Sequence, residues 1–120
     1  MKLQGEVLDR AELFLGGELS ESGRQTLSAL CAVAAANLES RLRSGVSVED
    51  IKEDFVTAAG VLALSMYSAV GGGDFSSVRV GELTLTRGGG DFSDSLRALA
   101  EEMLASQLTE RGFDFRGVRG

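Results

Sequence analysis

The chain has 120 residues, a size that a single hydrophobic core can serve, and its 43% apolar and 25% charged content exclude wholesale disorder. A formal net charge of -6 excludes a domain that clamps nucleic acid, because such binding rests on Lys and Arg neutralising phosphates. It leaves room for an acidic wall along which DNA slides without sticking.

Residues 4 to 15 carry apolar side chains at Val7, Leu8, Ala11, Phe14 and Leu15, the spacing of a short amphipathic helix that Gly16-Gly17 ends. Glu6, Asp9, Arg10 and Glu12 interrupt this N-terminal stretch, so no signal-peptide core is expected. Ser22 and Gln25 have the form of a capping box, and Leu27, Leu30, Cys31, Ala34, Leu38 and Leu42 then extend a second helix to about Arg43. Gly45 is expected in a left-handed C-cap with Val46 behind it. The lone Cys31, among Leu30, Ala32 and Val33, reads as a buried packing residue in a reducing, cytoplasmic setting.

Ser47 is the expected N-cap of a third helix, with Glu49, Asp50, Glu53 and Asp54 where the helix dipole favours anions. From Phe55 to Val70 no residue is charged, which predicts a central helix covered by protein on every face. Sixteen residues interrupted by Thr57, Ser65 and Ser68 fall short of the roughly twenty that a membrane span needs. Ala32, Ala34, Ala35 and Ala36 in the second helix, with Ala58, Ala59, Gly60 and Ala63 in the third, predict a close antiparallel pair across the short loop 44 to 47.

Beyond Val70 the period becomes alternating over residues 77 to 86 and changes parity at Gly81-Glu82, with Val78 and Val80 before it and Leu83 and Leu85 after. A two-residue turn with Gly first makes a small hairpin; a bulge in one strand is the other reading. The repeated GGGDFS flanks this segment, so Gly71, Gly72 and Gly73 on one side and Gly88, Gly89 and Gly90 on the other are expected hinges of a β arm spanning 71–93. A last helix begins near Ser93 or Ser95, presents Leu96, Leu99, Ala100, Met103 and Leu104, and stops by Gly112. Residues 109–120 form an expected flexible tail, locally basic through Arg111, Arg116 and Arg119 with Phe113 and Phe115 between them. The whole reads as one mainly α domain: a bundle of about four helices around a central apolar helix, with a hairpin or bulged strand inserted before the last.

Little in the chain carries chemistry. There is no histidine, which removes Ser-His-Asp and Cys-His mechanisms and the commonest general base near neutral pH. The acidic cluster 49 to 54 could gather oxygen ligands for a hard cation, but a solvated helix start is the simpler reading, and no metal or cofactor is expected. Neither glycine run is a phosphate cradle, since no Gly-Lys-Ser/Thr follows and Asp74 and Asp91 would repel a phosphate. The expectation is a non-enzyme. A two-stranded hairpin is marginal in water and has open edges, so Val78, Val80, Leu83 and Leu85 are expected to be completed by a second copy through strand addition.

The order of parts resembles a known family: short helix, alanine-rich helix, acidic-start apolar helix ending in Met66-Tyr67, then FSSVRVGELTLT and a final helix. The stretch VEDIKEDFVTAAGVLALSMY at 48 to 67, followed by Val80 to Leu85, looks like the small head-tail connector (adaptor, head-completion) proteins of tailed phages and prophages. The likeness spans about residues 4 to 108 and is one of pattern and order. It implies a non-enzymatic homo-oligomer that forms a ring between the portal protein and a tail-completion protein, with DNA passing transiently through its channel. The expected setting is the host cytoplasm during assembly and then the virion. The hairpin and the tail, including Phe113, Phe115 and Arg116, would touch neighbours. The long Gly triplets and the basic FDFRGVRG tail depart from the family pattern. The alternative is a cytoplasmic acidic helical binding module, a chaperone or an inhibitor of a basic protein.

Overall fold

The uncharged third helix is the axis on which everything else packs. The structure, a computed structural model, describes residues 2–15, 19–70, 77–80, 83–86, 92–105 and 107–108. In chain order they form α1 (Lys2–Phe14), α2 (Glu21–Ser40), a 3-10 turn (Val48–Ile51) leading directly into α3 (Lys52–Ala69), β1 (Ser77–Val80), β2 (Leu83–Thr86) and α4 (Phe92–Met103). The mainly helical bundle with a hairpin before its last helix is therefore the architecture found.

In α3 the side chains of Phe55, Val56, Tyr67 and every residue from Ala58 to Ser65 are buried, and exposure returns only in the last turn at Ala69 and Val70. All of α1, α2 and α4 contact α3, which is why it needs no polar face. Its hydroxyls find partners inside the protein. Thr57 Oγ1 accepts from Arg10 of α1 at 2.7 Å, and Ser65 Oγ donates to the Ser93 carbonyl at the start of α4 at 2.9 Å. No helix among the described residues is long and apolar enough to cross a membrane.

Helices α2 and α3 pack as an antiparallel pair: the short loop joins the end of α2 to the start of α3, and Tyr67 near the end of α3 meets Gly23 in the first turn of α2. The small residues divide differently from expectation. Ala34 and Ala35 face inward, whereas Ala32 and Ala36 are exposed. Gly60 serves α1 rather than α2, since a Cβ there would lie 3.3 Å from the Ala11 nitrogen and 3.6 Å from the Val7 carbonyl oxygen. One glycine thus sets the close approach of α1 and α3.

Several boundaries shift for identifiable reasons. The N-cap of α2 is Ser20, not Ser22, because extended Ser20 turns its Oγ to accept from the Gly23 N–H at 3.0 Å. Helix α2 ends at Ser40 rather than Arg43: Arg43 N–H bonds to the Gln107 carbonyl at 2.8 Å and Leu42 bridges to Leu108, drawing the chain out of the helix. Gly45 does take a positive φ of 91°, but in the turn closed by Val46 N–H on the Arg43 carbonyl, remote from the cap of α2. Ser47 caps the 3-10 turn, with its N–H held by the Asp50 carboxylate at 3.4 Å. Helix α4 starts at Phe92 and ends at Met103, well short of Gly112, because the chain turns at Leu104 and buries Leu108 beside Leu42.

Candidate assembly surface

The hairpin reading is the one found. Strands β1 and β2 pair antiparallel with Val80 opposite Leu83, Val78 opposite Leu85, Arg79 opposite Thr84 and Ser77 opposite Thr86. This register sets even-numbered residues against odd ones, which is why the apolar positions change parity between the strands. Val78, Val80, Leu83 and Leu85 share one face; Ser77, Arg79, Thr84 and Thr86 share the other.

The apolar face descends into the body. Val78 is only 1% exposed, and Val80 and Leu85 pack against the core half-buried, while Leu83 near the turn remains 46% exposed. Strand β1 lies against α1 and β2 against α4. Val78 is thus a core residue of its own chain, which corrects the expectation that its side chain meets a neighbour. On the other side of β1, Leu15 forms a backbone bridge to Val78, a contact that the sequence reading missed by assigning Leu15 to the first helix. The signal available was an apolar residue stranded between a helix and a glycine pair.

The two strand edges therefore differ. The outer edge of β1 is bridged at Val78 and carries the charged Arg79. Among the described residues no strand pairs with the outer edge of β2, whose Leu83, Thr84 and Thr86 are exposed and uncharged. The expected hinge glycines 71 to 73 and 88 to 90, the turn residues Gly81 and Glu82, and the tail residues Phe113, Phe115 and Arg116 lie outside the described residues. The point from which the tail departs is described: Leu108 sits beside Leu42, with Arg43 Nε donating to its carbonyl at 3.2 Å.

The acidic start of α3 is distributed among separate roles. Asp50 holds the Ser47 N–H, Glu53 pairs with Arg10 at 3.2 Å, and Glu49 and Asp54 face solvent. Among the described residues no group of three or more His, Cys, Asp or Glu side chains could hold a metal. Other ion pairs tie the helices: Lys52 to Glu6 at 3.2 Å, Arg41 to Glu101 at 3.1 Å, and Arg24 to Glu12, whose hydrogen bond and charge raise the Arg24 pKa further. Cys31 is fully buried, and desolvation, with a smaller push from Glu12, moves its thiol up to about 12 from an ordinary 9.0. Comparison of the chain with protein-family models, with curated proteins and with solved structures gives no match in any of the three.

Proposed function

We propose that the chain is a structural subunit of a phage or prophage particle, a head-tail connector that assembles into a ring between portal and tail and leaves a channel for DNA. The observation that carries the reading is the hairpin: its inner face is anchored in its own core, while among the described residues no strand pairs with the outer edge of β2 and Leu83 is exposed, which supports contact with a second chain there. The order of elements over residues 48 to 67 and 80 to 85 supports the connector assignment by likeness. The net charge of -6 suits a channel through which DNA moves without adhering.

Mixing the purified chain with a portal assembly and imaging by electron microscopy tests this. Ring-shaped density capping the portal is expected, and portals left bare at saturating chain would overturn it. The acidic binding module is the second reading, favoured by solvent-facing Glu49 and Asp54 at the start of α3. Pull-down of a basic protein that is lost as salt rises would select it.

A further inference from the structure

We infer that the outward face of α2 is the docking surface for this chain's own C-terminal residues 109–120, which run along it antiparallel to the helix. The docking goes beyond the connector reading and does not depend on it. From Gln25 to Leu38 α2 has no charged residue, and Thr26, Ala29, Ala32, Val33, Ala36 and Asn37 face outward. Helices α1 and α4 instead turn Glu6, Asp9, Asp94 and Arg97 to solvent. Val33, in the middle of the uncharged face, is 53% exposed, so folding of the described residues leaves apolar surface here uncovered.

Direction, reach and charge select the tail as the occupant. Leu108 bridges Leu42 antiparallel, and the Gln107 carbonyl accepts from the Arg43 N–H, so the chain leaves Leu108 heading back toward the end of α2. Glu21 and Glu39 are about five turns apart in α2, which puts them on one edge of the uncharged face and about 27 Å from each other. Both are exposed, and among the described residues neither enters an ion pair. In an extended chain Arg111 and Arg119 are about 26 Å apart, and side-chain alternation puts them on one side with Phe113 and Phe115 between them. Laid antiparallel, the two patterns match. Arg111 meets Glu39, the two phenylalanines cover Val33 and its alanine neighbours, and Arg119 meets Glu21. Asp114, Arg116 and Val118 fall on the side turned to solvent.

A docked tail and a free one place position 118 differently. Extended along α2, it lies about 33 Å from Leu108, beside the first turns of the helix. As a flexible coil it averages about 17 Å from Leu108, in no preferred direction. The test uses the full chain, isotope-labelled for amide NMR, with a nitroxide on Val118→Cys; buried Cys31 stays unmodified. Amide signals from Glu21 to Thr26 are expected to lose more intensity than those of the loop 41 to 47, and to recover when the nitroxide is reduced. Adding Val33→Glu, at an exposed position, should abolish that preference while the helical circular dichroism stays unchanged. Intensity loss that is strongest around Leu108, equal in every direction and indifferent to Val33→Glu would overturn the docking. A mixture of spin-labelled chain without isotope and isotope-labelled chain without nitroxide separates the occupants. No loss on α2 is expected there, and loss as strong as in the singly prepared chain would overturn the assignment by giving the face to the tail of another copy.

Discussion

Replacing Gly23 by Ala should destabilise the chain, and removing one oxygen from Tyr67 should reverse the effect. Gly23 is the third residue of α2, and its N–H donates to Ser20 Oγ. A Cβ built there lies 2.6 Å from the Tyr67 hydroxyl oxygen and 3.1 Å from Ser20 Oγ. Tyr67 is only 3% exposed, so its ring has little room to retreat. Overpacking of this kind costs about 1–3 kcal/mol. The helix preference of Ala over Gly offsets about 0.5–1 kcal/mol of that, less than in a helix interior because the site is in the first turn. Gly23→Ala alone should therefore cost about 1–2 kcal/mol net, or several degrees in Tm for a chain of this size. Tyr67→Phe alone should cost about 1 kcal/mol through its lost hydroxyl. Once Tyr67→Phe has removed the obstruction, adding Gly23→Ala should be neutral or stabilising, giving a coupling of about 1–3 kcal/mol between the two sites. Urea melts followed by circular dichroism on the four proteins measure it. Strictly additive effects would refute the placement of the end of α3 against the first turn of α2, and with it the antiparallel pairing of the two helices.

Gly60→Val should destabilise by about 2–4 kcal/mol, since its extra carbons meet the α1 backbone at Ala11 and Val7 rather than a movable side chain; an unchanged denaturation midpoint would contradict the close approach. Leu83→Asp should leave the helical circular dichroism intact, at a cost below about 1 kcal/mol for a residue this exposed, while abolishing self-association in sedimentation. Retained association at the wild-type level would remove the hairpin tip from the interface. Cys31 should resist thiol reagents at pH 8 until denaturant is added, and rapid labelling of the native chain would show that it is not in the core. Its folded thiol keeps its proton to about 12, whereas the unfolded one ionises near 9.0, so the unfolded state binds fewer protons in between and stability falls as pH rises through that window. The slope attributable to Cys31 is at most about 1.4 kcal/mol per pH unit and should be missing from Cys31→Ala.

What was legible in the sequence was what periodicity dictates. The uncharged run after Asp54 could only be a helix surrounded by others, and the parity change at Gly81-Glu82 could be reconciled with one buried face only by a two-residue turn or a bulge. What escaped were contacts between residues distant in sequence. Leu42 looks like the next turn of α2, and nothing local announces that Leu108 will draw it into a bridge. Ser22 has the better capping-box spelling, yet Ser20 is the cap, because the cap is decided by which hydroxyl can reach an N–H three residues on. Leu15 and Val78 are separated by two helices, so the bridge that occupies one edge of the hairpin could not be foreseen from either. The candidate surface was thus half legible: its strands were, and its asymmetry was not.

That asymmetry makes salt the sharpest arbiter between the two functional readings. Strand pairing through β2 would join uncharged segments, while the rest of two chains at -6 would repel each other across the contact. The Debye length shortens from about 10 Å at 0.1 M to about 3 Å at 1 M, so added salt removes the repulsion and leaves the backbone hydrogen bonds and the leucine contacts in place. Self-association through the hairpin should therefore strengthen as sodium chloride rises over that range. An acidic module that holds a basic partner through Glu49 and Asp54 runs the other way, because screening weakens the attraction on which it depends. Sedimentation across a salt series reads the sign directly. Association that dissolves as salt rises would mean that charge, not β2, holds the copies together.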